Sequence, residues 1–361
     1  MNRIVIDEDL VRAIPKTDLH VHLDGSLRLE TMLELAAEQG VPLPGDDPES
    51  LKRGMHLGER HADLVSYLEA FDHTCSVLQT REALERAAFE LAEDAALENV
   101  TYMEVRYSPI LHTAGGLRLD QVVQAVLDGL RHAERAHDIT TGVIICGIRN
   151  ISPETSLQLA ELAAAFKNRG VVGFDLAGAE ENFPAKHHRR AFYLILNNNI
   201  NCTLHAGEAF GPESIAQAVH YCGANRIGHG THLAEDPDLM QWVNDRRIAL
   251  EVCLASNMQT RAVSTWDEHP IRRFFEQGLR VTLNTDNRLV SGTTMTNELR
   301  LAVTHYDLNE EQITKIVLDG FKSAFLPLDR KARLINRVLG ECEALGVTVG
   351  GVIDSRWRAH C

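Results

Sequence analysis

The feature that most constrains this chain is an alternation of strand-patterned and helix-patterned runs that repeats eight times between Lys16 and Thr285. The strand-patterned runs are Lys16–Leu23, Thr101–Tyr107, Thr140–Ile148, Val171–Ala177, Asn201–Ala206, Arg226–His229, Ile248–Cys253 and Leu279–Thr285. Lys16–Leu23 alternates apolar and polar residues, while Thr140–Ile148 is apolar and β-branched, as a strand covered on both faces should be. Between them, helical spacing predicts helices over 119–137, 154–168, 185–197, 213–222, 237–245 and 268–277, with Gly170 and Gly278 closing two of these segments. A helix between successive strands is the crossover that parallel pairing needs. Eight such units close naturally on themselves, so the predicted fold is α/β, a single (β/α)8 barrel of the TIM type.

Two stretches fall outside the repeat. Ser26 reads as the cap of a helix over Glu30–Glu38 that stops at Gly40, with Pro42 and Pro44 forbidding continuation. Residues 41–100 then read as an insertion after the first strand: a loop over 45–60 and helices over Ala62–Gln79 and Glu82–Glu98. The tail, Glu310–Gly346, reads as two further helices packed outside the barrel. No linker, low-complexity segment or other repeat divides the chain, so residues 1–361 are expected to form one domain.

Composition narrows the partners. With 51 acidic against 36 basic residues, the formal charge of -15 repels phosphate backbones and anionic membrane surfaces, which excludes nucleic acid and favours a small molecule. The seven cysteines, Cys75, Cys146, Cys202, Cys222, Cys253, Cys342 and Cys361, include no C-x-x-C pair, and several lie in apolar runs, as reduced core thiols do. Residues 1–10 carry three acids and no long apolar run, and no stretch reaches the roughly 18 apolar residues of a membrane helix. A cytoplasmic protein is expected; its oligomeric state is left open.

In such a barrel the chemistry gathers at the carboxyl ends of the strands. The first strand ends with His20 and His22, which, two apart, face the same side. The fifth ends with His205 and is followed by Glu208; the sixth ends in Gly228-His229-Gly230, and the eighth in Thr285-Asp286-Asn287. Taken singly, each has a bland reading: a capped turn, a satisfied core histidine, a helix cap. Their joint placement predicts a shared metal site. Three histidines and one carboxylate, without thiolate, suit Zn²⁺ with an open position for water, and the same donors accept iron or manganese. On zinc the pKa of water falls from 15.7 to about 7. His229 and Asp286 are then placed to take or steer a proton, and Glu208 to act as a general acid worth roughly 10²- to 10⁴-fold. The residues therefore predict metal-assisted hydrolysis.

These motifs resemble a known family. Pro15-Lys16-Thr17-Asp18-Leu19-His20-Val21-His22-Leu23-Asp24-Gly25, Tyr102 to Pro109, Phe174-Asp175-Leu176-Ala177-Gly178, His205-Ala206-Gly207-Glu208, Arg226-Ile227-Gly228-His229-Gly230 and Asn284-Thr285-Asp286 are similar, in order and spacing, to the adenosine deaminase family over residues 13 to 330. The resemblance implies a zinc (β/α)8 enzyme with one Zn²⁺ per subunit that hydrolyses the 6-amino group of adenosine and deoxyadenosine, a small purine nucleoside, to inosine and ammonia. It makes His20, His22, His205 and Asp286 the zinc ligands, Glu208 the proton donor to purine N1 and His229 the group that orients the hydroxide. It also sets the Gly178 backbone near purine N3 and Asp24 near the ribose. For Glu208 to hold a proton near neutral pH, burial must raise its pKa.

Two positions depart from the family pattern: Asn287 stands where many members have a second acid, and Ala179 where many have Asp. The second acid contacts purine N7, an acceptor, so it must donate; Asn287 offers an N–H without needing protonation, which predicts the same work with weaker pH dependence. Leu64, Tyr67, Leu68 and Phe71 form one helical face. Such a stripe is either core or, by position in the family, an apolar lid over the nucleoside. Three other readings stand beside the main one: a deaminase of adenine or of a 5'-substituted nucleoside such as aminodeoxyfutalosine, a metal hydrolase of amides in the same barrel, and a non-catalytic purine-binding relative.

Overall fold

The computed structural model describes residues 8–347. Eight strands form one parallel sheet in sequence order: β1 Lys16–His22, β2 Val100–Tyr107, β3 Thr140–Ile148, β4 Val171–Ala177, β5 Asn201–Ala206, β6 Arg226–His229, β7 Ala249–Val252 and β8 Val281–Leu283. The ring is joined beyond β8 by Asp286, which bridges to Val21. Its N–H donates to His20 O at 2.8 Å and its C=O accepts from His22 N–H at 2.7 Å. The backbone that closes the barrel is thus the backbone of three residues predicted to hold the metal.

The barrel interior is not wholly apolar. Buried Arg106 pairs with Asp175 at 3.1 Å and Glu251 at 2.9 Å, and buried Arg226 pairs with Glu104 and Glu251, each at 2.5 Å. Buried charges are tolerated only when paired in this way. The consequence lies one layer higher, where Glu251 and Asp175 also carry the histidines. The helices Glu310–Ser323 and Leu328–Ala344 follow the barrel, and the first packs against β8 and β1. Among the described residues no helix is long and apolar enough to cross a membrane.

Several expectations change. Ser26 is not a helix cap: the helix begins at Leu29 with Arg28 at its N-cap, and Ser26 Oγ instead accepts from Arg288 N–H at 3.0 Å. Residues 45–60 are not all loop, since Pro48–Gly54 is helical, with Asp47 accepting from Glu49 N–H and Ser50 N–H. The helix expected over Ala62–Gln79 is interrupted at Glu69 into Leu64–Leu68 and Ala70–Val77. Helices Glu8–Ala13, Leu254–Gln259 and Met295–Tyr306 were not expected. Cys361 lies outside the described residues.

Candidate active site

Four buried side chains converge at the carboxyl rim. His205 Nε2 lies 3.0 Å from His20 Nε2 and 3.1 Å from His22 Nε2, and Asp286 Oδ1 lies 3.4 Å from each of the latter two atoms. Behind them, Glu251 takes His20 Nδ1 at 2.9 Å and Asp175 takes His205 Nδ1 at 3.0 Å. Carboxylates at Nδ1 fix that nitrogen as the donor and leave the Nε2 lone pairs facing one another, the arrangement of ligating histidines. Lone pairs about 3 Å apart repel unless a cation sits among them. The separations are also the edges of a four-coordinate polyhedron with bonds of roughly 2.0–2.1 Å, so the donor set fits Zn²⁺. Burial raises the Asp286 carboxyl, but its hydrogen bond to His20 and the surrounding imidazoles outweigh this and hold it well below the carboxylate range. Burial, then the neighbouring His205 and His20, keeps His22 well below the ordinary imidazole value despite Asp286.

The expected acid sits beside this cluster. Ligand atoms of Glu208, His229 and Asp286 lie within 4.8 Å of one another, and Glu208 Oε2 is 3.5 Å from His229 Nε2. Glu208 is 4% exposed; burial first, then the Asp286 and Glu180 carboxylates, raise it well above the ordinary value, against Thr260 and Arg149. Burial, then His20, lowers His229 well below its ordinary value. The loop that carries Glu208 is held by a residue the sequence reading missed. Glu180, itself buried, accepts four consecutive backbone N–H groups, from Gly207 at 2.6 Å, Glu208 at 2.9 Å, Ala209 at 2.7 Å and Phe210 at 3.1 Å. Buried Arg149 donates to the carbonyl of His205 on the other side of the same turn. Gly207 turns at φ +69°, where a Cβ would also meet the Ile215 side chain at 2.5 Å.

His229 and Asp286 adopt φ of 61° and 60° although neither is glycine. Such a conformation costs of order 1–3 kcal/mol and persists where surroundings over-determine it. For Asp286 the two hydrogen bonds to β1 do so.

The cluster opens on a cavity of about 210 Å³, which brings together His22, His205, Glu208, His229 and Asp286 with Asp24, Gly178 and Asn287, roofed by Leu64, Tyr67, Leu68 and Phe71. All the predicted site residues but His20, which lies behind the cavity wall, thus share one space; a larger cleft of about 1060 Å³ near Arg12, Arg28 and Arg300 holds none of them. Asp24 Oδ1 is buried without a hydrogen-bond partner among the described residues, and its Oδ2 lies 3.7 Å from His112 Nε2. Asn287 reaches the cavity, yet one amide N–H is already committed to Tyr67 Oη at 2.9 Å, and Tyr67 Oη meets Ser291 Oγ at 2.7 Å. Its Oδ1 occupies the space beside Gly25, only 1.9 Å from where a Cβ would stand.

An eight-stranded parallel barrel with three histidines, one carboxyl held well below its ordinary value and another raised well above it at its carboxyl rim defines a metal-dependent hydrolase. The family model for adenosine deaminase matches residues 15–340, and the chain belongs to the adenosine deaminase family of hydrolytic deaminases. An adenosine deaminase of Mycobacterium sp. (strain JLS) is 44% identical over 342 residues, which cover 90% of this chain and 94% of that protein. A probable adenosine deaminase of Dictyostelium discoideum is 40% identical over 360 residues, covering 99% of this chain and 47% of that longer protein, so the chain spans about half of it. The crystal structure of an adenine deaminase from Arthrobacter aurescens superposes with a TM-score of 0.85 at 26% identity, covering 91% of this chain and 99% of that one.

Proposed function

We propose that this protein is a zinc-dependent deaminase of adenosine and deoxyadenosine, consuming water and releasing inosine and ammonia in the case of adenosine. It is read as one barrel domain over residues 1–361 that acts in the cytoplasm, with one Zn²⁺ per subunit held by His20, His22, His205 and Asp286. When bound, the ion supplies Lewis-acid activation of water, whose pKa drops from 15.7 to about 7 on zinc.

The observation that carries the reading is the pair of carboxyl groups in one cavity with opposite shifts, Glu208 raised and Asp286 lowered. Environments that push two titratable groups apart mark an acid and its ionised counterpart. A protonated Glu208 delivers its proton to purine N1, which breaks the conjugation of the ring and makes C6 an electrophile that water oxygen attacks. The N–H of Gly178 serves purine N3, and Asn287 offers its second amide N–H to N7. Asp24, with an unpartnered buried oxygen, accepts from a ribose hydroxyl. Leu64, Tyr67, Leu68 and Phe71 cover the ring and exclude bulk water.

Adenine is the second reading, favoured by the likeness to an adenine deaminase; a 5'-substituted nucleoside such as aminodeoxyfutalosine belongs to the same class. The unpartnered Asp24 oxygen favours a substrate that brings a hydroxyl. The test is the loss of ultraviolet absorbance when purified, metal-loaded protein meets adenosine, adenine or a 5'-modified analogue. Adenosine should be consumed fastest, and failure to turn over any 6-aminopurine defeats the proposal.

A further inference from the structure

We infer that Asn257 and His269 are positioning residues that hold His229 in the tautomer with its proton on Nε2, so that the ring presents an N–H to the reaction centre. The inference rests on the deaminase reading of the site and specifies what His229 does within it.

The polarity of the chain is set at its far end by a group whose role is fixed. The backbone N–H of Ile271 donates to His269 Nδ1 at 3.1 Å, so that nitrogen carries a lone pair and no proton. A neutral ring protonated at one nitrogen then has its proton on Nε2. Burial lowers His269 to about 3, in accord with a neutral ring. His269 Nε2 lies 3.3 Å from Asn257 Oδ1, which accepts. The amide is thereby oriented with Nδ2 outward, 3.0 Å from His229 Nδ1. Rotating it by half a turn would set N–H against N–H at His269. Nδ1 of His229 therefore accepts, and the proton of the neutral ring lies on Nε2. His229, Asn257 and His269 are all buried, at 0%, 0% and 3% exposure, so water does not compete for these bonds. His229 Nε2 has no hydrogen-bond partner among the described residues, and the nearest carboxylate oxygen, Glu208 Oε2, is 3.5 Å away. A buried N–H without a partner is costly and calls for an acceptor from outside the protein. The oxygen of the attacking water, which turns negative as its proton passes to the neighbouring Asp286 carboxylate, is such an acceptor. His229 thus acts as a hydrogen-bond donor there and not as the base.

The test is ¹⁵N NMR of the zinc-loaded protein labelled in histidine, with the His229 signals assigned from their loss in His229→Gln. The expected result is a protonated Nε2 and an unprotonated Nδ1 at His229; the reverse overturns the inference, whether or not Asn257→Asp folds. Asn257→Asp offers an acceptor on both sides and should draw the His229 proton to Nδ1. With one donor to the developing charge lost, kcat on adenosine should fall about 10²-fold, while zinc content and inosine affinity stay within twofold. An unmoved tautomer in that variant, or full kcat with the tautomer reversed, also overturns it. If wild-type protein fails to turn over any 6-aminopurine, the deaminase reading fails, and the spectrum still decides the tautomer.

Discussion

The cavity has two walls built by different rules. One wall is made of strand ends: His22, His205, His229 and Asp286 with His20 behind them, each placed by the ladder of the barrel and backed by buried groups such as Glu251, Asp175 and Asn257. The other is the roof from the insertion, Leu64, Tyr67, Leu68 and Phe71, on two short helices broken at Glu69. Strand ends hold polar atoms to tenths of an ångström because the backbone hydrogen bonds of neighbouring strands fix them. The roof is held by side-chain packing and by polar ties that include Tyr67 Oη to Ser291 and Asn287 and Gln39 Nε2 to the Val77 carbonyl at 2.7 Å. Changes in the first wall should therefore appear in kcat, and changes in the second in KM.

The hardest test of that division is Glu208→Gln, which keeps the shape and removes the proton. It should lower kcat by roughly 10²- to 10⁴-fold, with zinc content unchanged by metal analysis; full activity would remove Glu208 as the donor. Because its pKa is raised, wild-type kcat should also fall on the alkaline side as Glu208 loses its proton, and this limb should vanish in the variant.

Glu180→Gln comes next. An amide nitrogen facing four donor N–H groups cannot replace the carboxylate, so the turn at 207–210 should shift and kcat should drop, by less than the 10²- to 10⁴-fold expected for the acid itself. If Glu180 acts through Glu208, the two losses will not add in the double variant. Additive losses measured in the four-way kinetic cycle would mean that Glu180 only supports the fold.

On the roof, Phe71→Ala should raise KM for adenosine about tenfold, the equivalent of about 1.4 kcal/mol, and leave kcat within a factor of a few. A kcat loss as large as that of Glu180→Gln would erase the distinction between the walls. Asn287→Asp probes the seam where they meet. It should stay active with a steeper pH dependence than wild type, and an inactive variant would end the idea that an uncharged N–H serves purine N7.

The two walls also differ in how far the sequence revealed them. The bounds of Thr140–Ile148, Val171–Ala177, Asn201–Ala206 and Arg226–His229 were legible because each run stops at turn residues, Gly178, Gly207 and Gly230 among them. Leu279–Thr285 was read too long: beyond Leu283 the Asn284 side chain takes over the ladder, its Oδ1 accepting from Leu19 N–H at 2.9 Å. The candidate ligands at the strand ends were legible since periodicity alone puts His20 and His22 on one side. The groups behind them were not, although Glu251 gave a faint signal as a lone charge in an apolar strand. Glu180 is one acid among many, and the four N–H groups it binds converge only after loop 207–210 has folded. Helix Pro48–Gly54, within the stretch expected as loop, had a usable signal in Asp47 followed by Pro48, an N-cap residue and a first-turn proline. The stripe over 64–71 was visible, but a lid and a core face look alike until the space beneath them is known.

The smallest effect concerns the support of the strand-end wall. Glu298, fully buried, accepts from Leu254 N–H at 2.7 Å and Thr293 Oγ at 2.8 Å, at the start of the helix that carries Asn257. Burial pushes its carboxyl from 4.5 up to about 8, so it is protonated in the folded protein at neutral pH and ionised in the unfolded chain. Between these values the folded state binds the extra proton, so this contribution to stability is fully present below the unfolded pKa and is lost as pH rises through about 8. Glu298→Gln removes the titration while keeping an acceptor for Leu254. Thermal unfolding of both proteins across this range should show the variant below wild type at the acidic end and closing the gap toward the alkaline end. Parallel curves would mean that Glu298 ionises alike in both states, and that the polar wall rests on a charged support instead of a neutral one.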